Sequence, residues 1–342
     1  MAFPKKLTSH FATNRNRLRD GTYGTEFYEG DPRLIRLGKV EVKKSGKRWK
    51  ASKPETHPER SRAAAGASRA DREWVVLGST ASFDAVRTDG IESGTTDILI
   101  FLHGAGNSFE TAAETLAVMA ELYSDADNPV CPYFFTYPAN GKSDPANYFA
   151  DRDDAALSGP AMARSFGKLI TFLTERHVEE RCGARIHLLA HSLGNFALRK
   201  AVETIFANPA YRPIRLFDTV FLAHADDDKD TLSSNDKMRN LTRLTDRIVV
   251  YYDGTDKLLR LSDAVHMDRL GQKGPSPFPG VHVNGCEIAA VDCSETKFDV
   301  MSDRQRHRHY LGASKVINDI RAVMRHQEPK RTPLDRAGFW RL

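Results

Sequence analysis

Ile98-Leu99-Ile100-Phe101-Leu102 and Ile248-Val249-Val250 are apolar at every position rather than at alternate ones. A strand with two apolar faces has to be covered on both, which is the setting of a mainly parallel sheet between layers of helices. From Trp74 onward the rest of the chain follows the same logic. Short β-branched or apolar runs, at Glu73–Gly78, Asp97–Leu102, Val130–Tyr137, Arg185–Ala190, Thr219–Ala223, Arg247–Tyr252 and Glu287–Val291, read as strands. Amphipathic stretches at Ser108–Ser124, Gly159–Arg181, Leu193–Ala207 and Ser314–Arg325 fill gaps between them, as the crossovers of parallel strands must. The expected class is α/β, with a mainly parallel central sheet flanked by helices.

Three regions follow from composition. Residues 1–72 carry 18 Lys and Arg against 8 Asp and Glu, so the net charge of +5 is an N-terminal property. Leu34–Val42 alternates enough to read as an early strand or strand pair, whereas 43–72 has almost no large apolar residue and reads as a long loop or flexible stretch. Residues 73–327 hold the α/β pattern, and 328–342 form a Pro- and Arg-rich tail that Phe339 and Trp340 can pin to the body.

The basic segment lacks zinc-finger ligand spacing and any aromatic-rich basic motif, so no nucleic-acid partner is expected. No apolar run reaches the length of a membrane span, and the N-terminus lacks a signal-peptide core; the expected location is the cytoplasm. Cys131, Cys182, Cys286 and Cys293 show no CxxC spacing and read as reduced, buried thiols. Nothing in the sequence fixes an oligomeric state.

The segment with chemical content is Arg185-Ile186-His187-Leu188-Leu189-Ala190-His191-Ser192-Leu193-Gly194-Asn195, an apolar strand running through a small-residue turn into a helix. This is the context of a nucleophile elbow, in which a serine is held on a sharp turn with its hydroxyl exposed. Small residues are needed two before and two after it, and here they are Ala190 and Gly194. The bland alternative is a serine that merely caps a helix. Such a nucleophile also needs backbone donors for the developing oxyanion. His103-Gly104-Ala105-Gly106-Asn107-Ser108 follows a central strand, and the amide of Ala105 or Gly106 can join that of Leu193. A phosphate loop is disfavoured there because the Gly-Lys-Ser/Thr ending is missing.

With His-Gly after a strand, Ala-His-Ser-Leu-Gly at the elbow, and later Asp and His segments, the chain resembles the α/β-hydrolase superfamily. It looks specifically like a bacterial family of uncharacterised esterase- or lipase-like hydrolases. Ala12-Thr13-Asn14-Arg15 and Leu37-Gly38-Lys39-Val40-Glu41-Val42 resemble that family's N-terminal segment. The resemblance implies an order Ser…Asp…His. It places the acid at Asp256, with Asp226 and Asp253 as rivals, and the base at His307 through the downstream Val316 and Asp319, with His309 as rival. His103, His187 and His191 are expected to be structural or to line the substrate site.

The expected function is a serine hydrolase that cleaves a small-molecule carboxylic ester, or an amide or thioester, through an acyl-enzyme on Ser192, without metal or organic cofactor. The loops 138–160 and 257–285 are expected to shape specificity as a partial lid. Two alternatives stand beside it: a non-catalytic binding protein of the same fold, and an acyltransferase that uses the same three residues.

Overall fold

The computed structural model describes residues 3–57, 78–142, 144–174, 183–209, 211, 213–263 and 268–342. The N-terminal part builds β1 (Lys6–Thr13), a short antiparallel pair β2 (Arg15–Arg17) and β3 (Tyr23–Phe27), then β4 (Arg36–Ser45), β5 (Arg48–Ala51) and β6 (Glu55–His57). The alternating part follows as α1 (Gly78–Glu92), β7 (Asp97–Leu102), α2 (Phe109–Tyr123), β8 (Val130–Thr136), α3 (Pro145–Leu157), α4 (Gly159–Thr174), β9 (Arg185–His191), α5 (Leu193–Ala207), β10 (Phe217–Ala223) and β11 (Thr245–Tyr252). The chain ends with α6 (Lys257–Asp263), α7 (Leu270–Lys273), β12 (His282–Val283), β13 (Cys286–Asp292), α8 (His309–Gly312), α9 (Ser314–Met324), β14 (Thr332–Pro333) and β15 (Phe339–Arg341).

The main sheet runs β14-β15-β13-β11-β10-β9-β7-β8-β1-β4-β5. Its eight-strand core from β15 to β1 is parallel throughout, and only β4, β5, β6, β12 and β14 pair antiparallel. The doubly apolar strand behaves as its composition demands. Ile98, Ile100 and Leu102 enter one core with residues of α1, α4 and α5, while Leu99 and Phe101 enter the other with α2 and α9. From β7 the chain goes first to β8 on one side and then to β9 on the other. Their carboxyl ends therefore diverge into a crevice, the usual ligand position in an open parallel sheet.

Three expectations are corrected. Residues 43–57 are not a loop: Lys43, Lys44 and Ser45 complete β4, which pairs with β5 and β6. One buried tryptophan is enough to seat this edge. Trp49 lies 4% exposed against the α2 core and donates its indole N–H to Glu121 at 3.0 Å, while Arg48 and Lys50 point out, as suits an edge strand. The C-terminal residues are not a tail either, since β15 adds to β13 in parallel, Phe339 packs on Phe278, and Arg331 makes two 2.7 Å bonds to Asp319. Between β8 and α4, residues 138–160 contain a whole helix, α3, capped by Asp144. Of the strand expected at Glu73–Gly78, Gly78 begins α1 and residues 73–77 lie outside the described residues, as do 58–72, Cys182 and the end of the helix expected to reach Arg181.

Candidate active site

Ser192 lies between the last residue of β9 and the first of α5, with φ 52° and ψ −124°. A non-glycine residue there is strained, and the surroundings hold it in place. Its N–H donates to the carbonyl of Ala223 at 3.0 Å, and its own carbonyl accepts from Asp226 and Asn195 at 3.1 and 3.0 Å. The need for glycine two residues on is steric: a Cβ on Gly194 would stand 2.6 Å from the Leu102 carbonyl oxygen and 2.7 Å from that of His103. Likewise a Cβ on Gly104 would meet the Ser192 Cβ at 2.8 Å. The loop after β7 thus runs directly against the serine.

That loop is pinned from two sides. Asp151, fully buried on α3, accepts the Gly106 amide at 2.7 Å and both the backbone and side-chain N–H of Asn140 at 2.8 and 2.9 Å. The Gly106 donor is therefore engaged, which narrows the expected oxyanion pair to Ala105 and Leu193. Arg15, also fully buried, donates to the carbonyl of Asn107 at 2.7 Å, to those of Gly24 and Ala139 at 3.0 and 3.3 Å, and to the Thr136 hydroxyl at 2.9 Å. Burial brings its guanidinium down to about 10. His103 sits beneath, bonded to Thr136 and stacked on Tyr137; burial, with Arg15 beside it, brings it down to about 3, so it is a neutral structural ring.

The structure brings Asp256 and His307 together. Both are buried, and His307 Nδ1 stands 2.6 Å from Asp256 Oδ2. The other oxygen, Oδ1, accepts the amides of Leu258 and Leu259 at 3.0 and 3.1 Å, where α6 begins. Burial alone would raise the Asp256 carboxyl, but the facing His307 and the hydrogen bonds from His224 and His307 hold it well below the usual carboxylate range. An ionised Asp256 fixes the proton of His307 on Nδ1 and leaves Nε2 as the basic nitrogen. Across from it, His191, the residue before the serine, donates from Nε2 to the carbonyl of His307 at 2.9 Å, and the two rings lie 4.7 Å apart. Burial, and then His307, push His191 well below its ordinary value, so it is a neutral spacer between the elbow and His307.

The rival positions are occupied otherwise. Asp226 receives Tyr148 Oη and Ser262 Oγ, each at 2.7 Å, and so ties α3 to α6 beside the elbow. Asp253 pairs with Arg306 at 2.9 Å, and His309 bonds to His224 rather than to Asp256. His187 lies at the other end of β9, bonded to Asp97 at 2.9 Å. His224, which sequence reasoning passed over, reaches Asp256 Oδ2 through Nδ1 at 3.0 Å. Its only sequence signal was its place just past a central strand. Among the described residues, His224, Asp256 and His307 are the one group close enough to suggest metal ligands. Ligands about 2 Å from a shared ion stand more than about 3 Å apart, so the 2.6 Å contact fits a proton rather than a metal between them.

A family model described as "Alpha/beta hydrolase of unknown function (DUF900)" matches residues 80–326, and the mainly parallel sheet with helices on both faces agrees with that description. Comparison with curated proteins and with solved structures finds no match.

Proposed function

The chain belongs to this α/β-hydrolase family of unknown function, and we propose that it acts as a serine hydrolase on carboxylic esters of small molecules, with Ser192, His307 and Asp256 as nucleophile, base and acid. The observation that carries this reading is the 2.6 Å Asp256–His307 bond, with the His307 ring 4.7 Å from that of His191, the residue before a serine in strained elbow geometry. The Ser192 hydroxyl attacks the carbonyl carbon while His307 Nε2 takes its proton, and the amides of Leu193 and Ala105 receive the negative oxygen. The imidazolium returns that proton to the departing alcohol as the C–O bond breaks, leaving an acyl-Ser192. Water then attacks with the same histidine as base and releases the acid.

Asp256, already ionised, orients the imidazole and stabilises its charged form without taking the proton. Tyr148 and Ser262 meet at 3.0 Å beside Asp226, so α3 and α6 together border the approach to the serine. In this reading they select among substrates, in the part given to the two lid segments by the sequence. No helix among the described residues is long and apolar enough to cross a membrane.

Turnover of p-nitrophenyl esters of graded acyl length tests the proposal. Wild type should hydrolyse at least one of them, and Ser192→Ala should lose at least about 10⁴-fold in kcat. Equal rates in the two proteins would remove the catalytic assignment.

A further inference from the structure

The mechanism above uses one of the two imidazoles that reach Asp256. His224 and His307 both bond the same oxygen, Oδ2, at 3.0 and 2.6 Å, and His224 is fully buried. From His224 a further chain leads away: its Nε2 lies 2.9 Å from His309 Nδ1, and His309 Nε2 lies 3.4 Å from the guanidinium of Arg306. The two rings are nearly parallel, with an interplanar angle of 10°.

The direction of this chain is fixed at Asp256, whose ionised Oδ2 only accepts, so that His224 donates from Nδ1 and accepts at Nε2 from His309 Nδ1. At the far end His309 Nε2 lies 3.4 Å from both the Arg306 guanidinium and Asp253 Oδ2. Asp253 balances the charge of Arg306 at 2.9 Å. Burial, then His224 and Arg306, push His309 down to about 2, which keeps the link neutral.

We propose that His224 is a positioning residue of the catalytic site, an inference that rests on the serine-hydrolase reading: it shares Oδ2 of Asp256 with His307 and is itself locked by His309 and Arg306. With the Leu258 and Leu259 amides on Oδ1, the carboxylate has four donors and no freedom to rotate. Its charge is spread over more partners than the three it would keep without His224, so it holds an imidazolium at position 307 less tightly. The other ionisable groups facing His307 are His191 from the end of β9 and, on its own loop, Arg308 and Asp303, which accepts the His307 amide at 2.8 Å. None of them contacts Asp256 Oδ2 among the described residues, so the effect of His224 is separable from theirs.

The test begins without activity. Ring-nitrogen NMR of ¹⁵N-histidine-labelled wild type should find the proton on Nδ1 in His224, His309 and His307, the reverse of the form free imidazole side chains favour. A His224 ring protonated on Nε2 alone would overturn the proposal. In His309→Phe the His224 ring should lose its single tautomer. In His224→Phe, kcat should fall on the order of tenfold, with KM changed by less than about twofold. The acid limb of its kcat/KM profile should move to higher pH, because a less encumbered Asp256 holds the His307 proton more tightly. An unmoved profile in a folded His224→Phe protein would also overturn it. Failure of the hydrolase reading is recognised separately: Ser192→Ala would then turn over esters as fast as wild type, whatever the tautomers.

Discussion

Ser192 combines two costs that an ordinary helix-capping serine does not carry. Its backbone is in a region that side chains avoid, and its Cβ faces a glycine that tolerates no side chain of its own. Residues held in such geometry cost of the order of 1–3 kcal/mol. It follows that Ser192→Gly, which removes the Cβ that makes the conformation unfavourable, should be more stable than Ser192→Ala by about 1 kcal/mol. Urea unfolding of the two variants checks this, and equal stabilities would show that the elbow relaxes once the hydroxyl is lost. The elbow itself was legible in the sequence because a strand, a small-residue turn and a helix are all local patterns. Asp256 and His307 rested on resemblance, and the structure adds their 2.6 Å contact. His224 could not be read, since its meaning depends on Asp256, 32 residues away, and His309, 85 away.

At the scale of elements, the loop after β7 is shaped by partners distant in sequence. Arg15 precedes it by 92 residues and Asp151, on the Gly106 amide, follows by 45. The buried Arg15 offsets its desolvation through hydrogen bonds to carbonyls and a hydroxyl; among the described residues it forms no ion pair with a carboxylate. Replacing it with Met leaves the buried carbonyls of Asn107 and Ala139, and the part-buried one of Gly24, without this donor, at about 1–3 kcal/mol for each buried one if nothing else reaches it. Arg15→Met should therefore lower unfolding stability by about 3 kcal/mol, and it should also reduce kcat, because the Ala105 amide loses its support. Unchanged stability, measured by thermal or urea unfolding, would contradict the positioning argument. The Ala12-Thr13-Asn14-Arg15 segment was visible in the sequence as a point of resemblance, but its task was not. Ser9, His10 and Thr13 are polar residues of β1 that become fully buried, and a reading by apolar periodicity passes over the strand for that reason.

Over the whole molecule, the apolar strands at the centre of the sheet predicted their own environment, and the edges did not. β5 and β6 are short and largely polar and β15 is only three residues long, and all three are stabilised by pairing with strands already in place, as the Lys43–Lys50 and Ala290–Phe339 registers show. The result is a sheet extended at both margins by segments that composition alone assigned to a loop and a tail. Its middle diverges at the carboxyl ends of β7 and β9, so the loop after β7 and the Ser192 turn face each other, with Asp256 and His307, the proposed acid and base, carried in from the turns after β11 and before α8. The proposed chemistry depends on Ser192 being a nucleophile activated by His307. Its most direct test is covalent labelling by an organophosphonate ester, read by mass spectrometry of intact and digested protein. The predicted result is one adduct per chain, on the peptide containing Ser192, absent in Ser192→Ala and much slower to form in His307→Ala. An unlabelled wild type, or equal labelling of wild type and Ser192→Ala, would contradict it.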